Sequence, residues 1–221
     1  RAAARGPLRV MFPMVTEVED WDAAMSIVEH CRQSLRERGV PFNENTQFGV
    51  MLSIPAACLT VEDFIAHGCD FLVIGTNDLT QYTHAADREL ASAEHYYRPA
   101  SPAMKKLITM VMDAAGAHHV PVTICGLAVG NPANTAQYLH LGLRSFSVSP
   151  QNLLKVKQAL LDTDAHPDED AAQKARHDGT DQIKQQLVLL FVDAFPIHPV
   201  DETGEDDRRR DIGQSAAEED S

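Results

Sequence analysis

The sequence lacks several patterns that would place it quickly in a functional class. No GxGxxG stretch follows an apolar run, which weakens the prediction of a dinucleotide-binding domain. The four cysteines form no CxxC or CxxH pair, which argues against a zinc site and a disulfide scaffold and favours a reducing, cytoplasmic compartment. No apolar run reaches about 18 residues, so we expect no insertion into a membrane. The apolar fraction of 44% still suffices for a folded core.

Positive charge is scarce, and the excess of acidic residues is concentrated at one end. Residues 162–221 carry 17 acidic and 6 basic side chains, so their net charge is −11, and residues 1–161 are left at −2. An acidic chain repels phosphate backbones, so nucleic-acid binding is not expected. We expect residues 162–221 to be a partly disordered acidic tail with one possible helix near 181–195. Because the chain starts at Arg1 and not at Met, we also expect it to be part of a longer polypeptide.

Apolar runs alternate with amphipathic segments along residues 1–161. Five runs read as buried strands, namely residues 8–14, 48–52, 71–75, 120–125 and 145–148. Segments with helical spacing follow each of them, and Ser or Asn next to Pro marks the start of several. This alternation predicts an α/β fold with a parallel sheet covered by helices. The periodicity alone leaves open a doubly wound sheet or part of a (β/α)₈ TIM-type barrel.

The third strand ends at two polar residues that are candidates for binding a ligand. Asn77 and Asp78 follow the apolar run 71–75 directly, at the carboxyl end of a parallel strand, where α/β enzymes collect their chemistry. A carboxylate such as Asp78 suits Mg²⁺, and a carboxamide such as Asn77 can donate to a phosphoryl oxygen. The alternative is that one of the two side chains only caps a short helix beginning at Leu79.

Two further residues are expected at the same rim. Arg88 lies ten positions after Asp78, and its guanidinium can bind a carboxylate or a phosphate through two bonds; the alternative is a surface arginine paired with a neighbouring acid. Cys125 closes the fourth strand, and a thiol there can exchange a proton with a carbon next to a carbonyl. The alternative for Cys125 is a small buried hydrophobe, which is the role we expect for Cys31, Cys58 and Cys69.

Several stretches resemble one known family. Residues 75–82 read GTNDLTQY, and residues 55–57, 97–102 and 125–126 carry PAA, YRPASP and CG. Together they resemble the C-terminal phosphoenolpyruvate-binding barrel of enzyme I of the sugar phosphotransferase system, within the PEP-utilising enzymes. The resemblance covers roughly residues 1–161, about five of the eight strands of a TIM-type barrel.

The resemblance implies a function and a role for each candidate residue. It implies a homodimer that binds phosphoenolpyruvate and Mg²⁺, releases pyruvate, and passes the phosphoryl group to a histidine on a phosphocarrier protein or a separate phosphohistidine domain. Asn77, Asp78 and Arg88 would bind the substrate, and Asp78 would also bind the metal. Cys125 would protonate the enolate carbon.

The chain departs from the family pattern in three respects. Ser53 stands where the family has a glutamate that binds Mg²⁺, and Leu127 stands where the family has the glutamate of Cys-Gly-Glu. The strands before the fourth barrel strand, with two substrate-binding arginines, and the phosphorylated histidine have no counterpart in the 221 residues. The sequence therefore leaves open a second interpretation, in which the chain is a catalytically impaired relative that acts as a dimerisation or regulatory module.

Overall fold

A computed structural model describes residues 1–163 and shows an α/β fold around one five-stranded parallel sheet. The strand order is the sequence order, and every neighbouring pair is parallel. Parallel neighbours require a crossover between them, which the intervening helices provide. The predicted fold class is thereby confirmed. The strands are β1 (Arg9–Phe12), β2 (Gln47–Leu52), β3 (Phe71–Gly75), β4 (Val122–Cys125) and β5 (Ser145–Phe146).

The helices begin where the sequence offers caps or a proline suited to the first turn. The side chains of Ser101 and Asn131 each accept a hydrogen bond from a backbone N–H of the following helix, and Pro102 and Pro132 follow them. The first helix starts with a capping box formed by Glu17 and Asp20. The helices are α1 (Val18–Glu37), α2 (Pro55–Leu59), α3 (Val61–Ala66), α4 (Thr76–His84), α5 (Pro102–Ala117), α6 (Pro132–His140) and α7 (Leu153–Asp162).

The two faces of the sheet have different neighbours. The face that the helices cover belongs to the main apolar core and carries fully buried side chains, among them Leu52, Leu72, Ile74 and Ile124. Side chains alternate between the faces of a strand, so the opposite face receives the residues at the odd positions of β3 and β4. Gly75 and Cys125 are paired in register at the last position of that opposite face.

The sheet is open in the part of the chain that the structure describes. β1 pairs with β2 alone and β5 pairs with β4 alone, so these five strands do not close into a barrel. Beside β1 lies a groove of about 250 Å³, lined largely by apolar side chains that include Val10, Ile27, Val28 and Phe48. Cys31 also lines this groove and is exposed, so the expectation that it is buried was wrong, whereas Cys58 and Cys69 are buried as predicted.

One segment differs from its sequence prediction in a way that shapes the candidate site. The sequence allows a short helix beginning at Leu79, but α4 begins three residues earlier, at Thr76, without any intervening loop. Within residues 1–163, no helix is long and apolar enough to cross a membrane. The predicted acidic tail over 162–221, with its possible helix near 181–195, lies almost wholly outside the described residues.

Candidate functional site

Asn77 and Asp78 lie in the first turn of α4, at the carboxyl edge of the sheet. Strand β3 is buried along its whole length and ends at Gly75, which occupies the position before the first helical residue, Thr76. Neither Asn77 nor Asp78 caps the helix, so the interpretation of these residues as mere caps was wrong. The first turn of a helix has backbone N–H groups without partners inside the helix, and it attracts negative charge. This end of α4 therefore suits an anionic ligand.

Two hydrogen bonds join the first turn of α4 to the end of β4. The Thr76 hydroxyl donates to the carbonyl oxygen of Cys125 across 2.8 Å. The backbone N–H of Leu127 donates to Oδ1 of Asn77, also across 2.8 Å. Because the second bond occupies the carboxamide oxygen, the NH₂ group of Asn77 is the part of the side chain that can donate to a ligand.

Gly126 allows these two segments to approach each other. Its φ of +113° lies in a region that L side chains rarely adopt. A Cβ at this position would collide with the Thr76 hydroxyl, and it would lie 2.9 Å from Oδ1 of Asn77 and 3.3 Å from its backbone nitrogen. Any other residue at position 126 would therefore be unfavourable, both for its backbone conformation and for the space that its Cβ would need.

Arg88 reaches the same place from the segment that follows α4. Its Nη1 lies 3.3 Å from Oδ1 of Asp78, and both side chains are partly exposed to solvent. The predicted alternative was an arginine paired with an adjacent acid, whereas the acid in contact is Asp78. An exposed pair at this distance contributes little to stability. A guanidinium has five N–H donors, and the contact with Asp78 is made by Nη1, so other N–H groups of Arg88 can bind an anion.

Tyr97 supports the first turn of α4 from a neighbouring loop. Its hydroxyl donates to the backbone oxygen of Asn77 across 3.2 Å. Burial raises the pKa of Tyr97, the nearby Asp78 adds to the rise, and Arg88 opposes it. Sequence reasoning assigned no role to Tyr97, because the YRPASP stretch that contains it gives no sign of which backbone group the hydroxyl would meet.

The Cys125 thiol lies at the end of β4 with a raised pKa. Burial raises the pKa of Cys125 to about 11, and the Asp78 carboxylate adds to the rise. Both effects disfavour the thiolate, because a negative charge is poorly solvated there and is repelled by a neighbouring carboxylate. At neutral pH the group is a thiol and therefore a potential proton donor.

The donors in the described residues fall short of a resident Mg²⁺ site. Mg²⁺ prefers near-octahedral oxygen ligands, with one or two carboxylates and the rest from water or substrate phosphates. Asp78 supplies one carboxylate and already contacts Arg88. Ser53 is 1% exposed, and its hydroxyl contacts the sulfur of Met14 at 3.8 Å. Within residues 1–163 no group of three His, Cys, Asp or Glu side chains could hold a metal ion. The metal role of Asp78 stays a prediction.

Comparison with known proteins places this chain in a family. The family model described as "PEP-utilising enzyme, PEP-binding domain" matches residues 1–165. The chain belongs to the PEP-utilising enzymes. Curated relatives named phosphoenolpyruvate-protein phosphotransferase are similar to this PEP-binding domain, and three of them are 39% identical to it. They come from Cupriavidus necator (161 residues aligned, 73% of this chain), Enterococcus faecalis (165 residues, 74%) and Haemophilus influenzae (160 residues, 72%).

The PEP-binding domain is only part of those relatives. The aligned residues make up 27% of the Cupriavidus necator protein and 28% of each of the other two. The chain thus spans little more than a quarter of the length of the curated relatives it matches. What those whole proteins do does not follow for this chain from the similarity alone.

Proposed function

We propose that this chain binds phosphoenolpyruvate at the carboxyl edge of its sheet and contributes to a phosphoenolpyruvate-dependent phosphotransferase. The observation that carries the proposal is the meeting of α4, the Arg88 segment and the end of β4 at one place. The Asn77 carboxamide and the Arg88 guanidinium supply donors, and the helix start adds a favourable potential. A phosphate and a carboxylate on one small molecule match these groups.

In this proposal Cys125 is the proton donor. Transfer of the phosphoryl group breaks the bond between phosphorus and the enol oxygen and leaves the enolate of pyruvate. The methylene carbon of the enolate then takes a proton and becomes the methyl group of pyruvate. Since burial holds the pKa of Cys125 at about 11, the thiol carries that proton at neutral pH. A thiolate at this position could not start the step.

The acceptor of the phosphoryl group lies outside the described site. By analogy with the relatives named phosphoenolpyruvate-protein phosphotransferase, we propose a histidine on a phosphocarrier protein or on a separate phosphohistidine domain. The bond formed would join phosphorus to an imidazole nitrogen. A homodimer and a role in sugar transport are further parts of this proposal, and they rest on the family resemblance.

Calorimetric titration of the full chain with phosphoenolpyruvate tests the proposed binding. We expect saturable binding, weakened about tenfold or more by Arg88→Gln, because a hydrogen bond to a charged group contributes about 1.5–3 kcal/mol. Arg38→Gln is the matched control, since Arg38 follows the last residue of α1, away from the carboxyl ends of the strands. Equal affinity of the Arg88 and Arg38 variants would contradict the proposed site.

A second function deserves a test, because Ser53 and Leu127 stand in place of two glutamates of the family pattern. On this alternative the chain is a catalytically impaired relative that acts as a dimerisation or regulatory module. Absence of phosphoenolpyruvate binding, together with a stable dimer in analytical ultracentrifugation, would favour the alternative. Binding that depends on Arg88 would favour the phosphotransferase.

A further inference from the structure

The residue that follows β2, beside the candidate site, carries no charge. In the register, Leu52 of β2 pairs with Ile74 of β3, so the next residue, Ser53, lies beside Gly75. The Ser53 Cβ is 3.5 Å from the point where a Cβ on Gly75 would lie, and Gly75 itself pairs with Cys125. A neutral hydroxyl thus occupies a position that faces the ligand site in the family pattern.

The second neutral replacement lies at the mouth of the site. Leu127 is 76% exposed, and its backbone N–H holds the Asn77 side chain in place. Its side chain extends into solvent at the position where the family pattern has a glutamate. The charged groups that the structure brings into contact at the site are then one carboxylate, Asp78, and one guanidinium, Arg88.

The two neutral residues reduce the electrostatic repulsion that a phosphorylated ligand would experience at this site. In the family pattern this site has three carboxylates, and a divalent cation would offset their repulsion of the phosphate and carboxylate groups of the ligand. In this chain the neutral residues Ser53 and Leu127 stand at two of these positions, and the remaining carboxylate, Asp78, is paired with the guanidinium of Arg88. The Asn77 NH₂ group, the Arg88 guanidinium and the start of α4 are all donors that can act directly on an anion.

We propose that this site binds phosphoenolpyruvate through Arg88 and Asn77 without a divalent cation, because Ser53 and Leu127 have removed the carboxylates that would make one necessary. This inference rests on the proposed function and specifies its metal requirement.

The decisive experiment titrates the full chain with phosphoenolpyruvate in two buffers, one with EDTA and one with millimolar MgCl₂. We expect the two dissociation constants to agree within about twofold, a difference of less than about 0.5 kcal/mol. Binding that appears only with Mg²⁺, or that tightens about tenfold or more, would overturn the inference and leave the proposed function standing. Absence of binding in both buffers would overturn the inference and the proposed function together.

Two variants show whether the neutral residues cause this behaviour. Ser53→Glu should weaken binding in EDTA about tenfold, and Mg²⁺ should restore it, because the added carboxylate repels the ligand and can hold the metal. Ser53→Ala is the matched control and should stay independent of Mg²⁺. Because Ser53 is buried, Leu127→Glu provides a second test at an exposed position that tolerates a charge. Failure of both glutamate variants to acquire a dependence on Mg²⁺ would contradict the argument.

Discussion

The backbone N–H of Leu127 donates to the side-chain oxygen of Asn77 across 2.8 Å, although the two residues lie 50 positions apart in the chain. This bond fixes the orientation of the carboxamide, since its oxygen is already occupied and its NH₂ group remains to meet a ligand. The same bond ties the segment after β4 to the first turn of α4. If the proposed function is right, phosphoenolpyruvate binding and the local order of these two segments both depend on the Asn77 side chain.

Replacement of Asn77 by Asp tests this orientation. The aspartate keeps an oxygen that can accept from Leu127, so the fold should survive, but it replaces the donor NH₂ group with a negative oxygen. We expect phosphoenolpyruvate binding to weaken about tenfold or more, while the free energy of unfolding in urea changes by less than about 1 kcal/mol. Unchanged affinity in calorimetry would show that the carboxamide does not donate to the ligand.

Gly126→Ala should destabilise the contact between β4 and α4. The new Cβ would collide with the Thr76 hydroxyl, and a φ of +113° is unfavourable for alanine. We expect a loss of about 2 kcal/mol in the free energy of unfolding. Gly116→Ala is the control, because no atom outside the adjoining turns of α5 lies within 4 Å of its Cβ position, and it should gain about 0.5–1 kcal/mol. Equal effects of the two substitutions in urea unfolding would contradict the packing described for Gly126.

Tyr97→Phe tests the support behind the site. Loss of the hydroxyl removes the hydrogen bond to the backbone oxygen of Asn77, which should cost about 1 kcal/mol of stability. Tyr96 is the neighbouring residue and its side chain is exposed, so Tyr96→Phe should change the stability little. Thermal unfolding of both variants measures the difference. A Tyr97 variant as stable as the Tyr96 variant would show that this bond contributes nothing.

The pH dependence of thiol alkylation tests the state of Cys125. Burial and the neighbouring Asp78 hold the pKa of Cys125 at about 11, above its ordinary value, so the thiolate is rare at neutral pH. The alkylation rate of Cys125 by iodoacetamide should rise about tenfold per pH unit up to about pH 11. Peptide mapping by mass spectrometry should show the exposed Cys31 modified first. Rapid modification of Cys125 at pH 7 would remove the argument for a proton donor.

The same shift has a consequence for stability. The pKa of Cys125 is raised in the folded state, so folding favours the protonated thiol. The contribution of this thiol to the free energy of unfolding is fully present below the unfolded pKa near 9, and it is lost as the pH rises towards about 11. Cys69 and Cys58 have pKa values raised by burial to about 11 and about 12, so the wild type loses stability through all three thiols. Cys125→Ala should therefore reduce the loss of stability between pH 9 and pH 11. An unchanged pH profile would contradict the shift.

The sequence carried enough information to predict the sheet and the proximity of three candidate site residues; their role in binding a ligand stays a prediction. The strand runs were uninterrupted and apolar, so β2, β3 and β4 lay where the pattern predicted. Asn77, Asp78 and Cys125 were predictable because the carboxyl ends of neighbouring parallel strands meet at one edge. The start of α4 directly at Thr76 was missed, because Thr, Asn and Asp are as common in loops as in a first helical turn.

Contacts between distant segments could not be read from the sequence. The Tyr97 hydroxyl and the Leu127 N–H both act on Asn77, and nothing in the spacing of these residues indicates which atoms would meet. The exposure of Cys31 was missed for a related reason. Its helical stripe predicts burial against a neighbour, whereas in the described residues that part of α1 borders the open groove beside β1.

An NMR titration of the isotopically labelled full chain with phosphoenolpyruvate tests most directly whether these segments form one site. We expect the largest shift changes at the backbone amides of Asn77, Asp78, Gly126 and Leu127 and at the Arg88 side chain, with a common dissociation constant. Inorganic phosphate should move the same signals more weakly. Changes confined to residues of the groove beside β1, or spread evenly over the chain, would contradict a ligand site at the carboxyl edge of the sheet.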